Sequence, residues 1–140
     1  FSAYDREALD GILRNIHKLK TGAIITWSCL AGLYSHPDSH FIRQHKCKVQ
    51  SFGQRIGLLF QIVDDILDVT SSLEELGKSP GKDQKAGKLS YSNLHGLDGA
   101  NRIAQGLVAE LRSDLEEMER MGGDWTLIRE ILEGLGNKLS

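Results

Sequence analysis

Three aspartates, Asp64, Asp65 and Asp68, lie in "LLFQIVDDILDVT" (residues 58–70), a stretch whose other residues are mostly those of a protein core. A carboxylate buried without a partner is costly or takes up a proton, so something cationic is expected opposite them. A helix turning about 100° per residue from Asp64 places Gly57 at about 20°, Asp68 at about 40°, Gln61 at about 60° and Asp65 at about 100°. Leu58, Val69, Ile62, Ile66, Leu59, Val63, Ile56 and Leu67 fill the arc from about 120° to about 300°. The helix is therefore apolar around most of its circumference, with one narrow acidic stripe and Gly57 leaving room above it. No lysine or arginine stands four residues from any of the acids, as a solvated stripe would usually provide. Two readings stay open: the thin wet face of a buried helix, or a site for a hard divalent cation. Magnesium is the candidate ion, because it binds one or two carboxylates, keeps its waters and takes phosphate oxygens as further ligands.

The segment that follows, "SSLEELGKSPGKDQKAGKLSYS" (71–92), sets Lys78, Lys82, Lys85 and Lys88 among glycines. Beside a magnesium site, such cations suit a phosphate ester whose negative charge both would balance. The segment lacks the spacing of a nucleotide P-loop, and alone it reads as a solvated turn.

The elements that must position these residues are helical, and strand signals are nearly absent. Leu9, Ile12, Leu13 and Ile16 mark an amphipathic helix over about residues 5–20, with Asp5 as its N-cap. "KTG" (20–22) interrupts the pattern, and a more apolar helix resumes from Ala23 to Tyr34. "SHPDSH" (35–40) reads as a loop, and a long helix from Ser39 to Thr70 ends in the acids. A further helix runs from Asp98 to Met121 and stops at "GG", and a last one, capped by Asp124 or Thr126, reaches Leu135. The expectation is an all-α helical bundle of about five main helices, with no repeat and no internal boundary.

"FQIVDDILDVT", "LGKSPGKDQKAGKLSY" and the upstream "HKLKTGAII" together resemble the C-terminal half of a trans-isoprenyl diphosphate synthase, close to bacterial farnesyl and geranylgeranyl diphosphate synthases. The resemblance runs from about Leu9 to the end of the chain and implies the isoprenoid synthase type of helical bundle. It implies that Asp64, Asp65 and Asp68 are a second aspartate-rich motif holding magnesium that bridges to an allylic diphosphate. Lys20 would reach that diphosphate, Thr21 would turn its hydroxyl toward the developing carbocation, and Gln61 and Phe60 would stand beside the acids. Lys78 and Lys88 would close over the diphosphate, with Lys82 and Asp83 in the same signature. The implied chemistry is ionisation of the allylic ester, attack of the isopentenyl diphosphate double bond on the cation, and loss of a proton. A dry apolar cavity would keep water from the cation.

The same resemblance requires a first aspartate-rich motif, and neither Glu74–Glu75 nor Glu116–Glu117 has its spacing. With Phe1 in place of a methionine, this suggests half of a synthase, inactive alone, whose partners are the missing half and a second copy in a homodimer. Two other functions share the fold: a non-catalytic regulatory subunit, in which the acids would often have decayed, and a class I terpene cyclase, which would not be expected to carry "GKSPGKD".

A net charge of −2 gives no electrostatic case for nucleic acid or an anionic membrane. The longest apolar run, "GAIITWSCLAGLY", has 13 residues, too few for a membrane span. Two cysteines make no disulfide framework and suit a reducing, cytoplasmic setting. His36, His40, His45 and Cys47 lack zinc-ligand spacing. Trp27 and Cys29 are expected in the core or a cavity wall, and Trp125 against the last helix. Phe41, Phe52 and Phe60 are too scattered for a stacking platform.

Overall fold

The computed structural model describes residues 2–76 and 89–139, and all of the regular structure among them is helical. The elements are α1 (Ala3–His17), a π-helical turn (Lys18–Gly22), α2 (Ala23–Tyr34), α3 (Ser39–Leu76), α4 (Tyr91–Arg120) and α5 (Thr126–Asn137). This is the all-α bundle that the periodicity implies. Lys78, Lys82, Asp83 and Lys88 lie outside the described residues.

Helix α3 is the axis of the bundle. Val49, Phe52, Ile56, Leu59, Ile62, Val63 and Ile66 are buried along it, and α4 answers with Leu94, Ala100, Ala104, Val108, Leu111, Leu115 and Met118. Small residues at 100 and 104 let the two helices approach before the larger ones fill the far end. Leu132 and Leu135 lay α5 on the same core. Two bidentate pairs, Arg112 with Glu133 (2.8 and 2.6 Å) and Arg129 with Glu119 (2.8 Å twice), fix its register at the surface.

Helix limits differ from the sequence reading at several ends, each for a local reason. Ser2, not Asp5, caps α1: its hydroxyl accepts from Asp5 N–H at 3.1 Å while the Asp5 carboxylate accepts from Ser2 N–H at 3.2 Å, a reciprocal capping box. Helix α3 continues past Thr70 to Leu76, because the hydroxyls of Thr70 and Ser72 donate back to the carbonyls of Ile66 and Asp68 and do not compete with the helix. Helix α4 begins at Tyr91, seven residues before Asp98, with Ser90 as cap accepting from Asn93 N–H at 3.2 Å. Gly96, with φ of 73° and ψ of 166°, is not helical and separates a short first segment from the helix expected from about Asp98; its positive φ favours glycine. Neither Asp124 nor Thr126 is the cap of α5, which is Trp125, although the Asp124 carboxylate accepts from Thr126 N–H at 3.0 Å.

"KTG" is also more than an interruption. The chain passes from α1 into α2 through a π turn with helical dihedral angles at both ends, and so inserts extra backbone without leaving the helix. Trp27 is 73% exposed, against the expected burial. Ile12 and Ile16, read as part of the inner face of α1, are also about half exposed, and only Leu13 of that set is fully buried.

Candidate active site

The π turn meets α3 at a contact made by two glycines. A β-carbon on Gly57 would lie 2.7 Å from Gly22 Cα, and one on Gly53 would lie 2.8 Å from Thr26 Cα, so both positions need glycine for backbone to touch backbone. The room that Gly57 leaves is thus taken by Gly22. One turn further along α3, the Gln61 amide Nε2 donates to Thr21 Oγ1 at 2.9 Å. Gln61 is buried, Thr21 half-buried and Lys20 exposed. Thr21 and Gln61, each singled out separately by the resemblance, are therefore in direct contact across 40 positions of chain. Asp64 and Asp68 follow on α3 at about one and two turns beyond Gln61.

The three aspartates do not share one environment. Asp64 is exposed, Asp68 is half-buried, and Asp65 is only 7% exposed. Asp65 Oδ2 accepts from Tyr91 N–H at 3.0 Å, and its backbone carbonyl accepts from Ser92 Oγ at 3.2 Å. His17 Nε2 lies 3.7 Å from the same carboxylate oxygen. Among the described residues, no three His, Cys, Asp or Glu side chains gather in a way that could hold a metal ion. The donors that fit magnesium are thus the carboxylates of Asp64 and Asp68, hard oxygen ligands at i and i+4, with water and phosphate oxygens left to complete the shell.

Sequence reasoning missed the polar seam behind Asp65. His17, Tyr91 and His95 stack in a column, with ring centroids 5.6 and 5.8 Å apart, and the Arg14 guanidinium lies 5.9 Å from the Tyr91 ring centre. Asp10 joins Arg14 (2.6 Å) and His95 (2.7 Å) across this column. Although its partial burial works the other way, the bonds from Arg14 and His95 hold the Asp10 carboxyl below its ordinary value. Burial pushes the Tyr91 hydroxyl up to about 12, with Arg14 opposing the shift and Asp10 and Asp65 adding to it. The only sequence signal for the seam is His17, a polar residue beside the apolar positions of α1.

A separate cavity of about 450 Å³ lies at the other end of α2, lined by Cys29, Leu33, Phe41, Phe52, Trp125 and Ile128 among others, and it contains none of the site residues above. Burial raises the Cys29 thiol there. Trp125 is partly buried against the core, its Nε1 donating to Gly122 O at 2.8 Å in the turn before α5. His36 and His45 flank Phe41, at centroid distances of 4.1 and 4.4 Å.

Residues 6–122 match the polyprenyl synthetase family. Geranylgeranyl pyrophosphate synthase 9, chloroplastic, of Arabidopsis thaliana is 44% identical over 105 residues, which is 75% of this chain and 27% of that protein. Dimethylallyltranstransferase of Fischerella ambigua is 38% identical over 109 residues, 76% of this chain and 30% of that protein. Geranylgeranyl pyrophosphate synthase, chloroplastic, of Catharanthus roseus is 40% identical over 107 residues, 76% of this chain and 29% of that protein. No solved structure matches significantly. The chain belongs to the polyprenyl synthetase family of trans-isoprenyl diphosphate synthases, and it spans less than a third of the length of these relatives. No helix among the described residues is long and apolar enough to cross a membrane.

Proposed function

We propose that this chain supplies the allylic-diphosphate wall of a trans-prenyltransferase that condenses an allylic diphosphate with isopentenyl diphosphate. The observation that carries the reading is the Thr21–Gln61 hydrogen bond at the glycine contact, which brings the turn bearing Lys20 onto the helix bearing Asp64 and Asp68. The relatives' names support a geranylgeranyl or shorter product.

Asp64 and Asp68 would hold magnesium, which when bound supplies positive charge to the diphosphate. The Lys20 ammonium adds a second positive charge, so the diphosphate can depart with the electron pair of the broken carbon–oxygen bond. Thr21 Oγ1 accepts from Gln61 with one lone pair, which holds the hydroxyl in place, and its other lone pair would face the developing allylic cation. The alkene of isopentenyl diphosphate forms the new carbon–carbon bond, and the proton then lost passes to a base, for which the departed diphosphate is the candidate. Lys78 and Lys88 would close over that diphosphate. A homodimeric assembly and a cytoplasmic setting belong to the same reading and rest on the resemblance and the two free thiols.

The test is consumption of isopentenyl diphosphate in the presence of magnesium and an allylic diphosphate. The 140-residue chain alone is expected to be inactive, and the chain joined to the upstream portion of the Fischerella relative is expected to make a longer prenyl diphosphate. Asp64→Asn in the joined protein should lower the rate by about a hundredfold or more. A cyclic hydrocarbon formed without isopentenyl diphosphate would instead identify a cyclase. A joined protein that only alters a second synthase would identify a regulatory subunit.

A further inference from the structure

We infer that Asp65 is a positioning residue and not a metal ligand: it ties α3 to the first turn of α4, leaving Asp64 and Asp68 to face the cation. The inference rests on the reading of those two residues as magnesium ligands, and it divides a motif whose members look equivalent in sequence.

Four contacts and exposures carry it. Asp65 is 7% exposed, while Asp64 beside it is exposed. Its carboxylate accepts from Tyr91 N–H at 3.0 Å, the first helical residue of α4. That N–H belongs to the first turn of the short helical segment before the Gly96 kink, one of the donors that a helix cannot satisfy internally. Ser92 Oγ donates to the Asp65 carbonyl at 3.2 Å, so one residue of α3 holds two consecutive residues of α4 through side chain and main chain together. His17 Nε2 of α1 lies 3.7 Å from the same carboxylate oxygen that accepts from Tyr91. Neighbouring residues on a helix differ by about 100°, so a carboxylate committed to the interior cannot also lie on the face of its exposed neighbour. Fixing α3 against α4 and α1 at this point fixes the direction in which Asp64 is presented.

The two roles make opposite demands on one substitution. Asparagine keeps an oxygen to accept from Tyr91 N–H but loses the charge a cation needs, whereas leucine loses both. Manganese is the probe, followed by electron paramagnetic resonance with and without inorganic pyrophosphate, beside thermal unfolding of the same 140-residue chains. Asp65→Asn should keep manganese affinity within about threefold of the parent, while Asp64→Asn lowers it by about tenfold or more at unchanged Tm and Asp68→Asn lowers it by a similar factor. Asp65→Leu, which leaves a buried donor unpaired, should lower Tm by about 5–10 °C, and Asp65→Asn should restore most of that loss. Asp65→Asn losing manganese as completely as Asp64→Asn at an unchanged Tm would overturn the inference. Absence of manganese binding both by the parent chain and by the chain joined to the upstream portion of the Fischerella relative would overturn the magnesium reading instead. The Asp65→Leu and Asp65→Asn melting temperatures then still decide the anchoring role, which fails if the two variants melt together.

Discussion

Helices α2 and α4 use apolar residues in opposite ways. Helix α4 is mixed in composition, yet its apolar stripe is almost wholly inside: Leu111, Leu115 and Met118 have no exposed surface. Helix α2, "AIITWSCLAGLY", is far more apolar, and only Thr26 and Leu33 are buried, while Ile24 and Trp27 are 70% and 73% exposed. An all-round apolar helix normally belongs in an interior. The contrast shows that α4 completes its packing within this chain, whereas α2 touches α3 backbone through Thr26 and leaves Ile24 and Trp27 outside the core, with Ile25, Cys29 and Leu30 only partly buried against it.

The largest effect should come from the closed side. Leu111→Ala removes a fully buried side chain facing α3 and should cost about 2–5 kcal/mol in urea unfolding, since such a core collapses only partly around the cavity. A loss near zero would mean that the α3–α4 seam is not the closed half.

Next comes the seam where the two sides meet. Tyr91 carries a hydroxyl raised to about 12 in the folded chain against an ordinary value of 10.0. A group whose folded value is raised gives stability that is fully present below pH 10 and is lost as pH rises from 10 to about 12. The loss should be on the order of 2 kcal/mol across that window. Tyr91→Phe should remove this alkaline step, and, because the hydroxyl is buried with no hydrogen-bond partner among the described residues, it should not destabilise the chain at neutral pH. An unchanged alkaline transition in Tyr91→Phe would place the titration elsewhere.

Gly57→Ala tests the backbone contact of the open side. Its β-carbon would meet main-chain atoms of Gly22 that cannot rotate away, so the π turn must shift, at about 1–3 kcal/mol. Gly106→Ala, on α4 with open space around it, is the control and should be neutral or stabilising.

How much of this was legible in the sequence varies with how local the cause is. The 3.6-residue period gave every helix, because burial of α3 repeats along the chain itself. Thr21 and Gln61 were singled out by resemblance, and the contact between them follows from the glycine pair at 22 and 57, which periodicity does not encode. Asp65 is instructive: at about 100° it stands at the edge of the apolar arc, so its inward direction was present in the spacing. What it bonds was not, because Tyr91 is 26 positions away and Ser90, its helix cap, looks like any loop serine. The exposure of Trp27 was illegible for a different reason, since apolarity tells that a residue favours burial and not whether this chain supplies the cover.

That last point is the basis of the smallest expected effect. Trp27→Ala removes the largest side chain of α2, and in most apolar helices a tryptophan truncation is among the worst of substitutions. Here the residue is 73% exposed, and alanine is the better helix former, so the two-state unfolding free energy should change by less than about 0.5 kcal/mol. The measurement is urea unfolding at two protein concentrations tenfold apart, because a second copy covering the face would make the parent chain's stability rise with concentration. A concentration-independent loss of about 2 kcal/mol or more would show Trp27 to be packed within the chain and would erase the difference between α2 and α4. A loss that appears only at the higher concentration would keep the difference and show that copies of the chain cover α2 for one another.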